Sequence, residues 1–223
     1  MQNNADIFGA ALASYYHDNK NSELLLHSED KQTYSIPVGV FFRAADSLEL
    51  DGLALKLCKG TVLDVGAGAG EHSLFLQQRG LCVTALDILP MACTIMEARG
   101  VKNVMHKNIL DESTLPGFDT WLVLGRSIGA VGNLDGFRQF LQKAKKSLRP
   151  DGVIIANSQN IPDKNSWSVR KLVFEFEGNK GELTPWMDIG EILLTQEASK
   201  MGFIADIVHR DEQGNYLTLL RLS

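Results

Sequence analysis

The chain has 223 residues, a formal net charge of −5, 44% apolar residues and 22% charged residues. This is ordinary globular composition, with length enough for one domain and its own core. The acidic balance lacks the basic footprint of a nucleic-acid binder. Cys58, Cys82 and Cys93 are too few and too scattered for a disulfide framework, and no pair has CxxC spacing. The first residues lack a basic segment followed by an apolar one, and no run of about eighteen apolar residues marks a membrane span. A cytoplasmic protein with neither nucleic-acid nor membrane partners is expected.

In chain order, residues 5–17 read as a helix, and "ELLLHSEDKQTYSI" as two extended runs around a polar turn at Ser28 to Lys31. "SIPVGVFFR" carries Pro37 and Gly39 and is expected to be loop-like or extended. The leucines of 46–58 indicate a helix closed by Lys59-Gly60. From Thr61 the rhythm is regular. "TVLDV" is a short buried strand, "EHSLFLQQRG" a helix stopped at Gly80, and "CVTALD" a strand. "PMACTIMEARG" is a helix opened by Pro90 and closed by Gly100, followed by the strands "NVMHKN" and "TWLVLG". Residues 135–148 form a helix ending before "RPDG", and "VIIAN" is the next strand. Strands alternating with helices of this length imply βαβ units and a parallel sheet covered on both faces. The segment 158–187 breaks the rhythm with two prolines, two tryptophans and "KLVFEFEG", and reads as an extended insertion. Residues 188–201 return to helix, and "GFIADIVHR" and "YLTLLRLS" close the chain as a hairpin.

"VGAGAG" sits between a strand and a helix. In parallel sheets this turn lies at the ligand-binding edge, where glycine lets backbone approach a ligand and take positive φ. The following helix adds N–H groups and partial positive charge. A dinucleotide loop requires GxGxxG, whereas the third glycine here is Gly70 and Glu71 occupies the dinucleotide position. Asp64 precedes the loop. Asp87 ends the second strand of this unit, where an acid suits the two hydroxyls of a ribose or caps the helix near Pro90.

In order, "VLDVGAGAG", "VTALDILP", "NVMHKNIL", "FDTWLVLG" and "SLRPDGVIIAN" resemble the motifs of class I S-adenosylmethionine-dependent methyltransferases. The resemblance implies an α/β fold with a Rossmann-like seven-stranded sheet and an antiparallel C-terminal strand, in a single domain over 1–223. Residues 1–45 would form an N-terminal cap and 158–187 an inserted lid. It implies S-adenosylmethionine as cofactor, held by Gly66, Ala67, Gly68 and Gly70, with Asp64 orienting the amino group. Asp87 and Ile88 would lie along the ribose, Asn108 and Ile109 at the adenine, and Gly125 at the end of the fourth strand of the motif set. His72, in the first turn after the loop, would touch the cofactor's carboxylate or serve in capping and packing.

The acceptor is less legible. No [DN]PP[YFW] follows the fourth strand of the set, no cysteine pair matches the RNA cytosine enzymes, and Gly125 and Asn157 stand where a catechol-type metal site needs acids. No metal is expected. The flanks "ALASYYHDN", "IPVGVFFR", "SIGAVG" and "LTPWMDIG" resemble a group of small bacterial methyltransferases, which implies that Tyr16, His17 and Arg43 lie near cofactor or acceptor. Arg43 suits a bidentate contact to the methionine carboxylate, or is a surface arginine. The chain departs from that group at Gly125-Arg126-Ser127 and at "NSQN" from Asn157. Arg126 is either a holder for an anionic acceptor or a solvent-facing side chain. Methyl transfer to a small, possibly anionic metabolite is the leading expectation. A non-catalytic cofactor-binding sensor and a peptide methyltransferase are the alternatives.

Overall fold

The structure, a computed structural model, describes residues 4–223. Seven strands build the main sheet: β3 (Thr61–Val65), β4 (Cys82–Asp87), β5 (Val104–His106), β6 (Phe118–Val123), β7 (Leu148–Ser158), β11 (Phe203–Arg210) and β12 (Tyr216–Leu222). Their order is β11-β12-β7-β6-β3-β4-β5. The five strands β3 to β7 pair in parallel, while β12 runs antiparallel to both β7 and β11. This is the expected seven-stranded sheet with its antiparallel end.

Successive strand residues serve opposite faces. Val62, Val83, Leu122 and Ile155 pack with α2 (Glu49–Leu57) and α3 (Glu71–Gln78) through Ala54, Leu55 and Leu76. Leu63, Trp121, Val123 and Ile154 pack on the other face with α5 (Leu134–Ser147) and α6 (Glu191–Lys200) through Phe137, Phe140 and Leu194. With both faces covered, strands are apolar without alternation. One expectation is corrected: "RPDG" is not a turn before a strand. Strand β7 begins at Leu148 and runs through it, with a register shift opposite Phe118 to Thr120 and Asp151 at φ 63°.

A second, antiparallel sheet joins segments far apart in sequence. It orders β10 (Thr184–Ile189), β8 (Trp167–Phe176), β1 (Glu23–Ser28) and β2 (Thr33–Pro37), with β9 (Asn179–Lys180) paired to β8. Helix α1 (Asn4–Tyr16) packs Ile7, Ala11 and Leu12 against Leu24 and Phe176 of this sheet. The same cluster takes in Leu89, Ala92 and Ile95 at α4 (Pro90–Ala98), so α1 rivets the second sheet to the main one. Buried Asn4 secures it, donating to Leu172 O and Thr184 Oγ1 and accepting from Phe174 N–H. "VGVFF", expected loop-like or extended, is a 3-10 helix over Val38–Phe42, because Pro37 ends β2 and turns the chain.

The glycines between β3 and α3 have φ of 72° (Gly66), 57° (Gly68) and 86° (Gly70). Side-chain space separates their tasks. A Cβ on Gly68 would meet nothing within 4 Å, whereas one on Gly70 would lie 2.9 Å from Met96 Cγ and 3.1 Å from Val101 Cγ2. Gly70 therefore also serves packing, its missing side chain making room for Met96 and Val101. Left-handed alanine costs roughly 1–2 kcal/mol at either position. Overpacking adds roughly 1–3 kcal/mol at Gly70 alone. Urea unfolding is expected to show Gly70→Ala as clearly less stable than Gly68→Ala; equal losses would refute the assignment.

Candidate functional site

The site gathers where β3, β4, β6 and β7 end. Asp87, the last residue of β4, is 5% exposed. Its Oδ2 accepts from Gly68 N–H at 2.8 Å and its Oδ1 from Leu89 N–H at 2.9 Å. Burial pushes this carboxyl above the usual range, against the pull of those backbone donors. Asp64 lies under the loop, also buried, with Oδ2 accepting from Ser73 Oγ at 2.7 Å. Burial pushes Asp64 up as well; His72 and Ser73 oppose the shift, and the Asp87 charge adds to it. In this structure Asp64 meets the first turn of α3 rather than an open cleft.

Beside them stands a chain of alternating charge. Arg43 donates from Nη2 to Asp51 Oδ2 at 2.7 Å and from Nη1 to Val40 O at 2.8 Å. The same Asp51 oxygen lies 3.7 Å from His72 Nε2, an ion-pair distance rather than a hydrogen bond. Burial tends to raise Asp51, but His72 and Arg43 outweigh it and hold the carboxyl below its usual range. Burial works against charge on His72, yet Asp51 and Asp64 together lift it above its usual value. Arg43 Nε is buried without a hydrogen-bond partner. An orphaned donor of a cation is costly to leave unmet, and a ligand carboxylate would satisfy it.

Ile88 is 52% exposed next to Asp87, and its carbonyl accepts from or faces His106 Nε2 at 3.0 Å. Asn108 is exposed, its Oδ1 accepting from Leu110 N–H in a tight turn, and Ile109 is half-buried beside it. At the end of β6, Gly125 and Arg126 both take positive φ, 66° and 61°. Arg126 N–H donates to Asn157 Oδ1 at 2.9 Å, and its Nη1 donates to Gln159 Oε1 at 2.6 Å. The two segments that depart from the family pattern are thus bonded to each other. Ser127 backs the loop: a Cβ on Gly66 would fall 2.8 Å from its Oγ.

Tyr16 is half-buried at the end of α1 with its ring edge-on to exposed His17. His17 lines a recess of about 480 Å³ together with Ala13, Met91, Phe176 and Asn179, and no residue of the glycine loop lines it. Ala67 is buried against Cys93 and Met96 and contributes backbone, its N–H donated to Leu86 O. Trp186 packs its indole on Gly129, just past Arg126, while Trp167 is 40% exposed.

Sequence reasoning missed Asp51, Ser73 and Arg99. Arg99 braces the loop from behind, donating to Ala69 O at 2.7 Å and Glu71 Oε1 at 2.6 Å, with its guanidinium over the Phe42 ring. An acid in the first turn of a leucine-rich helix and an arginine at a helix end look like ordinary dipole partners. Only the pairing of Asp51 with Arg43 gives it meaning. Among the described residues, no group of three or more His, Cys, Asp or Glu is placed to hold a metal, and no helix is long and apolar enough to cross a membrane.

The family model for a methyltransferase domain matches residues 63–156. The crystal structure of an S-adenosylmethionine-dependent methyltransferase from Bacteroides fragilis, in complex with S-adenosylhomocysteine, superposes with a TM-score of 0.92 at 32% identity, covering 100% of this chain and 97% of that one. The 1,6-didemethyltoxoflavin-N1-methyltransferase of Burkholderia thailandensis shares the fold at TM-score 0.59 and 18% identity, over 98% of this chain and 88% of that one. A ribosomal RNA large subunit methyltransferase M from Tolumonas auensis is 42% identical over 52 residues, 23% of this chain and 14% of that protein, so this chain matches only a small part of its length. The near-complete match to the Bacteroides enzyme, at 32% identity over 100% of this chain, places the chain in the family: it belongs to the S-adenosylmethionine-dependent methyltransferases.

Proposed function

We propose that this enzyme methylates a small anionic metabolite in the cytoplasm, with Arg126 holding the acceptor's negative group. The observation that carries this reading is the placement of Arg126. It stands exposed at the end of β6 with a neutral partner, Gln159, and no carboxylate pairs with it among the described residues. A guanidinium in that position suits carboxylate or phosphate recognition. A polyanion such as RNA is disfavoured by the net charge of −5.

The cofactor supplies a methyl group already activated on a sulfonium. The residues of the chain bind and orient it. Arg43 and His72 would face its methionine carboxylate, while Asp64, buried beneath the loop on Ser73, would favour its ammonium group through charge from there. Asp87 takes the ribose hydroxyls, with Ile88, Asn108 and Ile109 around the adenine, and Gly68 and Gly125 allow backbone to approach. With an activated donor, holding the acceptor in line provides much of the rate. On this reading Tyr16 and His17, adjacent at the end of α1 with their rings edge-on, belong to the cap that would shield the transfer from water.

Two sets of variants test the reading. Asp87→Ala is expected to weaken S-adenosylhomocysteine binding at least tenfold in calorimetry, equivalent to about 1.4 kcal/mol; unchanged affinity would displace the ribose from Asp87. For Arg126, methyl transfer from labelled cofactor is screened across carboxylated and phosphorylated metabolites. Arg126→Ala should raise KM for the accepted anion by roughly tenfold or more, the scale of a lost charged hydrogen bond, while cofactor affinity holds. Turnover of neutral acceptors or basic peptides alone, or an Arg126→Ala enzyme with unchanged KM, would overturn the anionic reading.

A further inference from the structure

Three charged side chains from three elements converge beside the glycine loop, and one of them touches the other two. Asp51 projects from the first turn of α2, Arg43 follows the 3-10 helix at Val38–Phe42, and His72 lies in the first turn of α3. A single oxygen, Asp51 Oδ2, meets Arg43 Nη2 at 2.7 Å and His72 Nε2 at 3.7 Å. The Asp51 side chain is 3% exposed, so solvent does little to screen it. Resting on the placement of the cofactor's methionine end given above, we propose that Asp51 is a positioning residue. It holds Arg43 and protonated His72 together toward the cofactor's carboxylate, so that cofactor affinity follows the proton on His72.

Three observations support this role. Arg43 spends two nitrogens on Asp51 and the Val40 carbonyl while its buried Nε is unmet, so the side chain is fixed yet keeps a donor in reserve. His72 lies between Asp51 and Asp64, both buried, and these two acids favour its charged form over the cost of burial. No other group facing His72 reverses that balance. Glu71, in its own turn, is occupied by Arg99. Cys58, at the end of α2, is pushed up to about 12 by burial and stays neutral. Asp87 acts on neighbouring Asp64, and Arg43 is the cation that opposes charge on His72.

The sign of the pH dependence follows. The His72 proton favours the cofactor's carboxylate and is lost as pH rises through its elevated value, so affinity falls on the alkaline side, by up to about tenfold per pH unit. Asp64 and Asp87, both raised, lose their protons as pH rises and thereby favour the cofactor's cationic groups, which sets the acid limb. The alkaline limb belongs to His72 and its position to Asp51.

The test measures S-adenosylhomocysteine affinity of the full chain by calorimetry from about pH 5.5 to about pH 8.5, the range in which a histidine titrates. It does so for wild type, Asp51→Asn and His72→Gln. 5′-Methylthioadenosine, which lacks both amine and carboxylate, is the control ligand. The expected results are an alkaline limb in wild type, the same limb moved down by about one pH unit in Asp51→Asn, and no limb in His72→Gln. 5′-Methylthioadenosine should bind all three proteins alike with no alkaline limb. A wild-type profile flat above neutrality, a limb that survives His72→Gln, or an Asp51→Asn loss that is equal at every pH would overturn the proposal. So would loss of 5′-methylthioadenosine binding in Asp51→Asn, which would mark Asp51 as merely structural. If Asp51→Asn does not fold, Asp51→Glu takes its place: a limb held near the wild-type position supports the proposal, and one moved down by about one pH unit overturns it. Wild type that binds neither nucleoside would overturn the underlying placement of the cofactor instead.

Discussion

The carboxylate of Asp87 is the constraint on which the site's geometry depends. One oxygen takes the Gly68 N–H at the crest of the loop, and the other takes the Leu89 N–H one residue before α4. A single side chain therefore fixes how far the loop stands from the end of β4 and where the next helix starts. Charge-assisted bonds to backbone make this strong. They do not remove the cost of burial, which pushes Asp87 and neighbouring Asp64 upward together. Two buried acids in one place repel. A cofactor carrying an ammonium and a sulfonium relieves that repulsion, so the fold keeps an electrostatic preference for a cation before any ligand arrives.

The surrounding scaffold turns this local constraint into a shaped site. Strand β1 pairs with β8 across most of the chain's length, with Leu25 opposite Glu175, and α1 lies between this second sheet and α4. The loop side is tied as well: Phe42, in the 3-10 helix after β2, sits under the Arg99 guanidinium that grips Ala69 O. At the other end, Trp186 of β10 packs on Gly129, immediately beyond Arg126. The second sheet thus meets the β6 end through Trp186 and, through the 3-10 helix that follows β2, the arginine that braces the glycine loop. A shift in either sheet is felt at both, because packed interiors transmit displacement.

The main sheet was legible because buried parallel strands announce themselves as short apolar runs punctuated by Gly and Pro, as in "TVLDV" and "CVTALD". The second sheet was not. Its runs read as extended, but the pairing that joins them, β1 with β8, links segments more than a hundred residues apart, and "TYSIP" is largely exposed. The start of β7 was misread because Pro150 and Gly152 signal a turn, while the neighbouring strand absorbs the irregularity as a register shift. Within the site, acids and glycines were found by their position at strand ends, but their division of labour was hidden. Gly70 resembles Gly68 in sequence and differs only through Met96 and Val101, brought up by α4 and the turn after it. Asp51 carries no local signal, since its meaning comes from Arg43 and His72 on other elements.

The two departures from the family pattern, at Gly125-Arg126-Ser127 and Asn157 to Asn160, look independent in the sequence and are a single unit in the structure. Arg126 occupies a left-handed conformation at φ 61°, which an L-residue with a long side chain adopts at a cost. Asn157 offsets that cost by accepting the Arg126 N–H, and Gln159 accepts from its guanidinium. An acid at position 159, where Gln159 meets the guanidinium, would form an ion pair with Arg126 and neutralise it. The amides support the same geometry while leaving the full positive charge unspent. The two segments together therefore present a cation whose side-chain partner is neutral. On the proposed reading of an anionic acceptor, the task left to the protein at this end of the sheet is positioning rather than proton removal.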